Sequence, residues 1–164
     1  MSTGRKVLVA LLAVGGILAA LVFFAWYEFT GKEKIAQHRY AKQVAEVHLP
    51  GDFQLMSKDQ GGTYFAAGNG PYASRGYHTP RPLDETVIAV EAVLKDKGYD
   101  VSLGNRGDST DAVPVVELRA HKGSEPLQVL ISRGDVYDLP FGNVPQVAGM
   151  TGVLVEVTDD NRSR

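Results

Sequence analysis

Residues 7–27 form an unbroken apolar run without a single charged side chain. At about 1.5 Å rise per residue, these 21 residues would form a helix of roughly 31 Å, close to the ~30 Å hydrocarbon core of a bilayer. Trp26 and Tyr27 end the run, where aromatic side chains meet lipid headgroups. The pattern predicts a transmembrane helix over 7–27.

The flanks of this run bear on its processing and orientation. A short basic tail, residues 1–6, places Arg5 and Lys6 directly before it, as in an export signal, and no small residues suited to signal cleavage follow. The far flank carries more basic residues: Lys32, Lys34, Arg39 and Lys42. Counted literally, the positive-inside rule favours the opposite orientation. We favour an uncleaved signal-anchor with the C-terminal part outside the cytoplasm, at a bacterial plasma membrane.

Two small-x-x-x-small spacings lie inside the apolar run, where Gly15 pairs with Ala19 and Gly16 with Ala20. Such spacings let two membrane helices approach closely, although they also arise by chance among alanines and glycines. They suggest weak homo-association.

Residues 28–49 read as a juxtamembrane helical stem. A narrow apolar stripe recurs there at helical spacing, at Ala36, Tyr40, Val44 and Val47. Pro50 and Gly51 then stop the helix. We favour a spacer helix, either continuous with the membrane helix or hinged at Gly31, over a surface-lying or self-associating helix.

Residues 50–158 have the pattern of a compact domain. Alternation from Phe53 to Ser57 predicts a strand, and the turn signal at 68–71 predicts a hairpin between segments 63–67 and 72–78. Further strand patterns follow at 101–103, 113–120, 127–132 and 153–157. The glycine and proline of 121–126 suit a hairpin connection between two of these strands.

One segment of this domain has a clear helical pattern. Val87, Val90 and Leu94 share one face, Asp84 is an N-cap candidate, and Gly98 suits the position after the helix end. These features predict a helix over about 85–97. The expected fold class is therefore α+β, a two-layer domain in which one main helix covers a mostly antiparallel sheet, followed by a polar tail at 159–164.

Charge is unevenly distributed along the chain. Residues 1–49 hold six Lys and Arg against three Asp and Glu, whereas residues 50–164 hold eleven against sixteen, a net charge of −5. An acidic domain disfavours nucleic-acid binding, which relies on concentrated basic surface. The chain has no cysteine, which excludes disulfides, thiolate metal sites and cysteine nucleophiles.

Catalytic and cofactor motifs are absent from the sequence. It contains no phosphate-binding glycine loop, no His-Glu-x-x-His and no Gly-x-Ser-x-Gly. The acidic segments 108–111 and 135–138 lack the spacing of a dedicated calcium loop. We therefore expect no catalytic, cofactor-binding or metal-binding residues.

Two groups of residues are binding candidates. Arg75, His78 and Arg81 could hold an anion through charge-assisted hydrogen bonds, although we favour their pointing separately into water. The long loop 134–152 carries Tyr137, Leu139 and Phe141, which could dock a protein partner. The slightly favoured alternative is that this loop folds back over an open face of the sheet.

These observations lead to one main hypothesis and two alternatives. The main one is a single-pass, membrane-anchored, non-enzymatic binding or accessory protein of the cell envelope that presents a small acidic α+β domain. One alternative is a tethered hydrolase or transferase with its site near Arg75, His78 and Arg81. The other is an accessory subunit of a membrane complex, held by its transmembrane helix.

Overall fold

The computed structural model describes residues 3–62, 70–104, 115–133 and 149–158. The helices in these ranges are α1 (Thr3–Trp26), α2 (Lys32–Glu46) and α3 (Leu83–Asp96). The strands are β1 (Gln54–Gly61), β2 (Tyr72–Thr79), β3 (Asp100–Leu103), β4 (Val115–Lys122), β5 (Glu125–Arg133) and β6 (Thr151–Thr158).

All six strands join one sheet in the order β1-β2-β6-β5-β4-β3, and every neighbouring pair is antiparallel. β4 and β5 form the expected hairpin, closed by a two-residue turn in which Gly123 takes a φ of 63°. A positive φ favours glycine, because it lacks the Cβ that would clash. The prediction of an α+β fold with a mostly antiparallel sheet is confirmed.

The predicted hairpin between 63–67 and 72–78 is wrong. β2 pairs with β1 on one side, from Gln54 opposite His78 to Gly61 opposite Tyr72, and with β6 on the other, so neither edge of β2 is left for segment 63–67. The predicted strand at 53–57 is instead the beginning of the partner strand, which extends to Gly61. β1 is an edge strand with mostly exposed side chains, which is why its second half could be polar and escape an apolar pattern. The predicted strand 63–67 lies outside the described residues.

Helix α3 begins two residues before the predicted start. The Thr86 amide and hydroxyl both donate to the Pro82 carbonyl oxygen, at 2.9 Å each, so Pro82 occupies the cap position and Asp84 lies in the first turn. There the Asp84 carboxylate complements the positive end of the helix dipole instead of capping it. Gly98 follows the helix with a φ of 83°, as predicted.

The predicted stripe on the stem is the surface by which α2 packs on the sheet. Tyr40 is 6% exposed and Val44 and Val47 are each 1% exposed, and all three belong to the same core cluster as the sheet. α2 lies mainly against β2 and β6, while α3 covers β3, β4 and β5. The segment favoured as a spacer therefore forms part of the domain core, and within the described ranges two helices cover the sheet instead of the one expected.

Helices α1 and α2 are joined without a break in helical backbone. A single π-helical turn, Tyr27–Gly31, connects them, and the Lys32 amide donates to the Tyr27 carbonyl. A Cβ at Gly31 would lie 3.1 Å from Cδ2 of Tyr27, so glycine admits the aromatic ring there. The chain is thus continuous rather than hinged at Gly31.

Over the described residues, no helix is both long and apolar enough to cross a membrane. Within α1, the described side chains are those from Leu11 onward. The transmembrane helix over 7–27 stays a prediction.

Candidate functional site

The two faces of the sheet have different chemistry. The helix face, which packs against α2 and α3, is apolar and includes Ala73, Val129 and Val155. Side chains alternate along a strand, so the intervening residues of β2, β5 and β6 project from the opposite surface, called here the far face. Its members include Ser74, His78, Ser132, Leu154 and Glu156, each at most 4% exposed.

His78 is the buried histidine of the far face, at 3% exposed. Its Nδ1 has no hydrogen-bond partner within the described part of the chain, and burial lowers the pKa of the imidazole below its ordinary 6.5. A Cβ at Gly152, the residue paired with His78, would lie 3.9 Å from Cδ2 of His78. That distance is an ordinary van der Waals contact, so the packing around the imidazole does not require glycine there. The lowered pKa favours the neutral form of His78 at pH 7.

Arg81 is held by a carboxylate of the protein. Its Nη2 donates to Oδ1 of Asp52 at 3.0 Å, and its Nε also contacts that carboxylate. The hydrogen bond from Arg81 lowers the pKa of Asp52, and the same bond raises the pKa of Arg81. The guanidinium lies 5.6 Å from the ring centre of Phe53. Arg81 therefore connects the segment before β1 to the end of β2, and its charge is already matched.

Arg75 lies on the helix face, because it pairs with Val155 and alternates with His78 along β2. The structure thus places Arg75 and His78 on opposite faces of the sheet, and Arg81 in an ion pair beyond the strand end. It does not bring the three residues predicted to bind an anion together at one point. It therefore gives no geometric support to a hydrolase or transferase site built from them.

Arg75 instead lines a groove of about 360 Å³ between α2 and the β1–β2 edge of the sheet. This volume lies at the small end of the ~300–1,000 Å³ range of ligand pockets. The apolar lining of the groove consists of Ala41, which is half-buried, and of Val44 and Ala73, which are only 1% and 2% exposed. Lys58 of β1 is its second basic residue. We call this feature the α2 groove.

Lys58 and Arg75 are directly opposite one another in the β1–β2 ladder. Like charges in such a pair are destabilising by roughly 0.2–1 kcal/mol. Neither side chain forms an ion pair or hydrogen bond within the described residues. Asp59 also borders the groove, but it alternates with Lys58 and its Oδ2 accepts a hydrogen bond of 2.9 Å from the Tyr72 hydroxyl. Among the described residues, the groove thus contains two cations without an ion-pair partner beside an apolar lining.

The predicted docking residues Tyr137, Leu139 and Phe141 lie outside the described residues, as do both acidic segments and the polar tail. Partner binding by the 134–152 loop stays a prediction. The small residues Gly15 and Gly16 are exposed on α1, where an added Cβ at either would contact nothing within 4 Å.

Sequence reasoning missed the pairing of Lys58 with Arg75. The predicted first strand ended at Ser57, and only the register of the hairpin places Lys58 beside Arg75. The burial of the far face could have been predicted from the sequence, because the continuous apolar run Val153–Val155 is typical of a strand covered on both faces.

No protein-family model matches the chain, and the comparisons with curated proteins and with solved structures gave no match either.

Proposed function

We propose that this chain is a single-pass, membrane-anchored protein that presents its α+β domain for binding at the cell envelope, without catalysing a reaction itself. The observation that carries the proposal is a change in the exposure of apolar side chains along the continuous helical backbone from α1 to α2. The first part exposes apolar side chains, and the second buries its apolar stripe in a folded domain.

The exposed side chains of α1 support membrane insertion. Ten large apolar residues are each between 51% and 69% exposed: Leu11, Leu12, Val14, Ile17, Leu18, Leu21, Val22, Phe23, Phe24 and Trp26. Exposed apolar area on this scale in water is costly, at about 25 cal/mol per Å². A bilayer removes that cost, and the helical backbone satisfies its own hydrogen bonds in lipid.

The junction with α2 supports presentation of the domain at the membrane surface. Lys32 donates to Glu28 at 2.7 Å, and its ammonium lies 5.8 Å from the ring centre of Tyr27. These polar and aromatic groups follow the apolar segment directly, where headgroups would begin. Because α2 belongs to the domain core, the proposal places the domain close to the lipid surface.

A charge placed in the exposed apolar segment tests the anchor. Leu18→Lys should reduce the fraction of full-length protein that floats with membranes in a density gradient, since a lysine at the centre of a bilayer helix costs about 2.5–3.5 kcal/mol. Combining Leu18→Lys with Leu21→Lys should move most of the protein out of the membrane fraction.

The matched control is Ile88→Lys, which changes an apolar residue of similar exposure on α3, at 67%. This variant should float like the unmodified chain. Equal flotation of the double variant and the control would contradict membrane anchoring through α1.

Accessory association within the membrane remains part of the proposal. The open surface at Gly15 and Gly16 would let another helix approach α1 closely.

A further inference from the structure

We propose that the α2 groove binds a small soluble anion, a carboxylate or phosphate carried on a compact apolar group, with Arg75 and Lys58 holding the anionic group. This inference takes the binding role from the proposed function and supplies the ligand class.

The anionic half of this ligand follows from the two basic residues. Arg75 is half-buried, and its guanidinium can donate two parallel hydrogen bonds to a carboxylate or phosphate. Lys58 is exposed and adds a second positive charge from the adjacent strand. An anion between them converts a like-charge repulsion into two attractive contacts.

The domain's negative charge does not cancel this local field. Residues 50–164 carry a net charge of −5, but charges farther than about 8 Å are largely screened at physiological ionic strength. The two cations face each other across neighbouring strands, at a Cβ separation of about 4.5–5.5 Å for such a pair. Among the described lining residues, these two cations outnumber the single carboxylate, Asp59, so the local charge is positive.

The apolar half of the ligand follows from the surface next to the two cations. Ala41 is half-buried and offers apolar surface, together with the methylene stems of Lys58 and Arg75, whereas Val44 and Ala73 lie beneath them at 1% and 2% exposed. An inorganic ion alone would leave this surface without contact.

The position of the groove favours a soluble ligand over a lipid headgroup. Ala41 lies 14 residues beyond Tyr27, which corresponds to about 21 Å along a helix. That distance rests on the proposed anchoring, since it is counted from the end of the apolar run.

The binding test uses the full ¹⁵N-labelled chain in nanodiscs of phosphatidylcholine, titrated with phenyl phosphate and followed by amide chemical shifts. The amides of Ala41, Val44 and Ala73 should shift in a saturable way. Inorganic phosphate and phenol, the two halves of the probe, should each bind at least tenfold more weakly.

Variants locate the contacts. Arg75→Gln and Lys58→Gln should each weaken phenyl phosphate binding by about tenfold or more, since each removes a charge-assisted hydrogen bond. Arg75→Lys should retain part of the affinity. The matched control, Lys97→Gln, removes an exposed positive charge after α3 and should leave binding unchanged.

Three outcomes would overturn the inference: phenyl phosphate shifts that avoid the groove, unchanged affinity in Lys58→Gln, or equal binding of phenol. Lys58 is exposed, so its variant should fold even where Arg75→Gln does not. Shifts of the groove amides caused by anionic phosphatidylglycerol discs alone would replace the soluble ligand with a lipid headgroup. A flotation result that contradicts anchoring would not change the titration result, so the proposal of membrane anchoring and the proposal of anion binding can fail separately.

Discussion

At the scale of single residues, strand alternation decides what each candidate side chain can do. Arg75 and His78 are three positions apart on β2 and therefore face opposite sides of the sheet. Arg75 becomes half-buried beside α2, whereas His78 becomes a desolvated imidazole on the far face. Their closeness in sequence made them look like one site.

His78 should make the folded chain sensitive to acid. Burial lowers its pKa below 6.5 in the folded state, so the unfolded chain takes up a proton first as the pH falls. The free energy of unfolding should be unaffected by this group above about pH 6.5. Below that it should decrease, by at most about 1.4 kcal/mol per pH unit.

His78→Met should remove this part of the pH dependence, because a methionine of comparable size cannot take up a proton. The measurement is denaturant unfolding between pH 7.5 and pH 5. Replacing the exposed His38 with Gln is the control and should preserve the pH dependence. An unchanged acid slope in His78→Met would show that other groups cause it.

At the scale of elements, the apolar stripe on α2 that includes Tyr40 and Val44 was consistent either with a spacer helix or with a helix packed on the domain. Its spacing predicted which residues share a face, and Tyr40 and Val44 are indeed buried together. Spacing cannot identify the surface that the face contacts. The sheet provides that surface, with additional hydrogen bonds from Gln37 to the Gly62 carbonyl at 2.8 Å and from Gln43 to the Pro126 carbonyl at 3.1 Å.

A substitution on each side of α2 measures its contribution to the core. Val44→Ala should lower the free energy of unfolding by about 2 kcal/mol, from lost burial of two methylene equivalents and the cavity that remains. Ile35→Ala removes an apolar side chain that is 59% exposed and should change stability by less than about 0.5 kcal/mol. Both free energies are measured by denaturant unfolding. If Val44→Ala and Ile35→Ala lowered the free energy of unfolding by the same small amount, α2 would be a spacer and not part of the core.

At the scale of the whole molecule, the helical path from α1 to α2 connects a lipid-compatible segment to an acidic domain. The proposal of an extracytoplasmic domain depends on Arg5 and Lys6 remaining inside. The basic residues after the apolar run oppose it, because the positive-inside rule gives little weight to acidic neighbours such as Glu28 and Glu33.

Reporter fusions at the C-terminus should decide the orientation. We expect a bacterial alkaline phosphatase fusion, active only outside the cytoplasm, to be active, and a green fluorescent protein fusion, exported unfolded, to be dark. Fusions that carry only residues 28–164 should show the reverse activities, because they lack the apolar run. A fluorescent full-length fusion with an inactive phosphatase would place the domain inside the cytoplasm.

The sequence by itself determined those features that depend on neighbouring residues. Helical spacing predicted α3 and the buried stripe of α2, and glycine chemistry predicted the end of α3 at Gly98. Alternation and turn residues predicted the β4–β5 hairpin. Each of these follows from local backbone preference and from which side chains share a face.

Only the tertiary structure decided which distant segments meet. It paired Lys58 with Arg75 through a register that neither strand specifies alone, and it matched Arg81 with Asp52, 29 positions earlier. It also buried α2 against β2 and β6, on the opposite side of the sheet from His78. Such contacts depend on strand order and on the packing of both sheet faces, which local pattern does not encode.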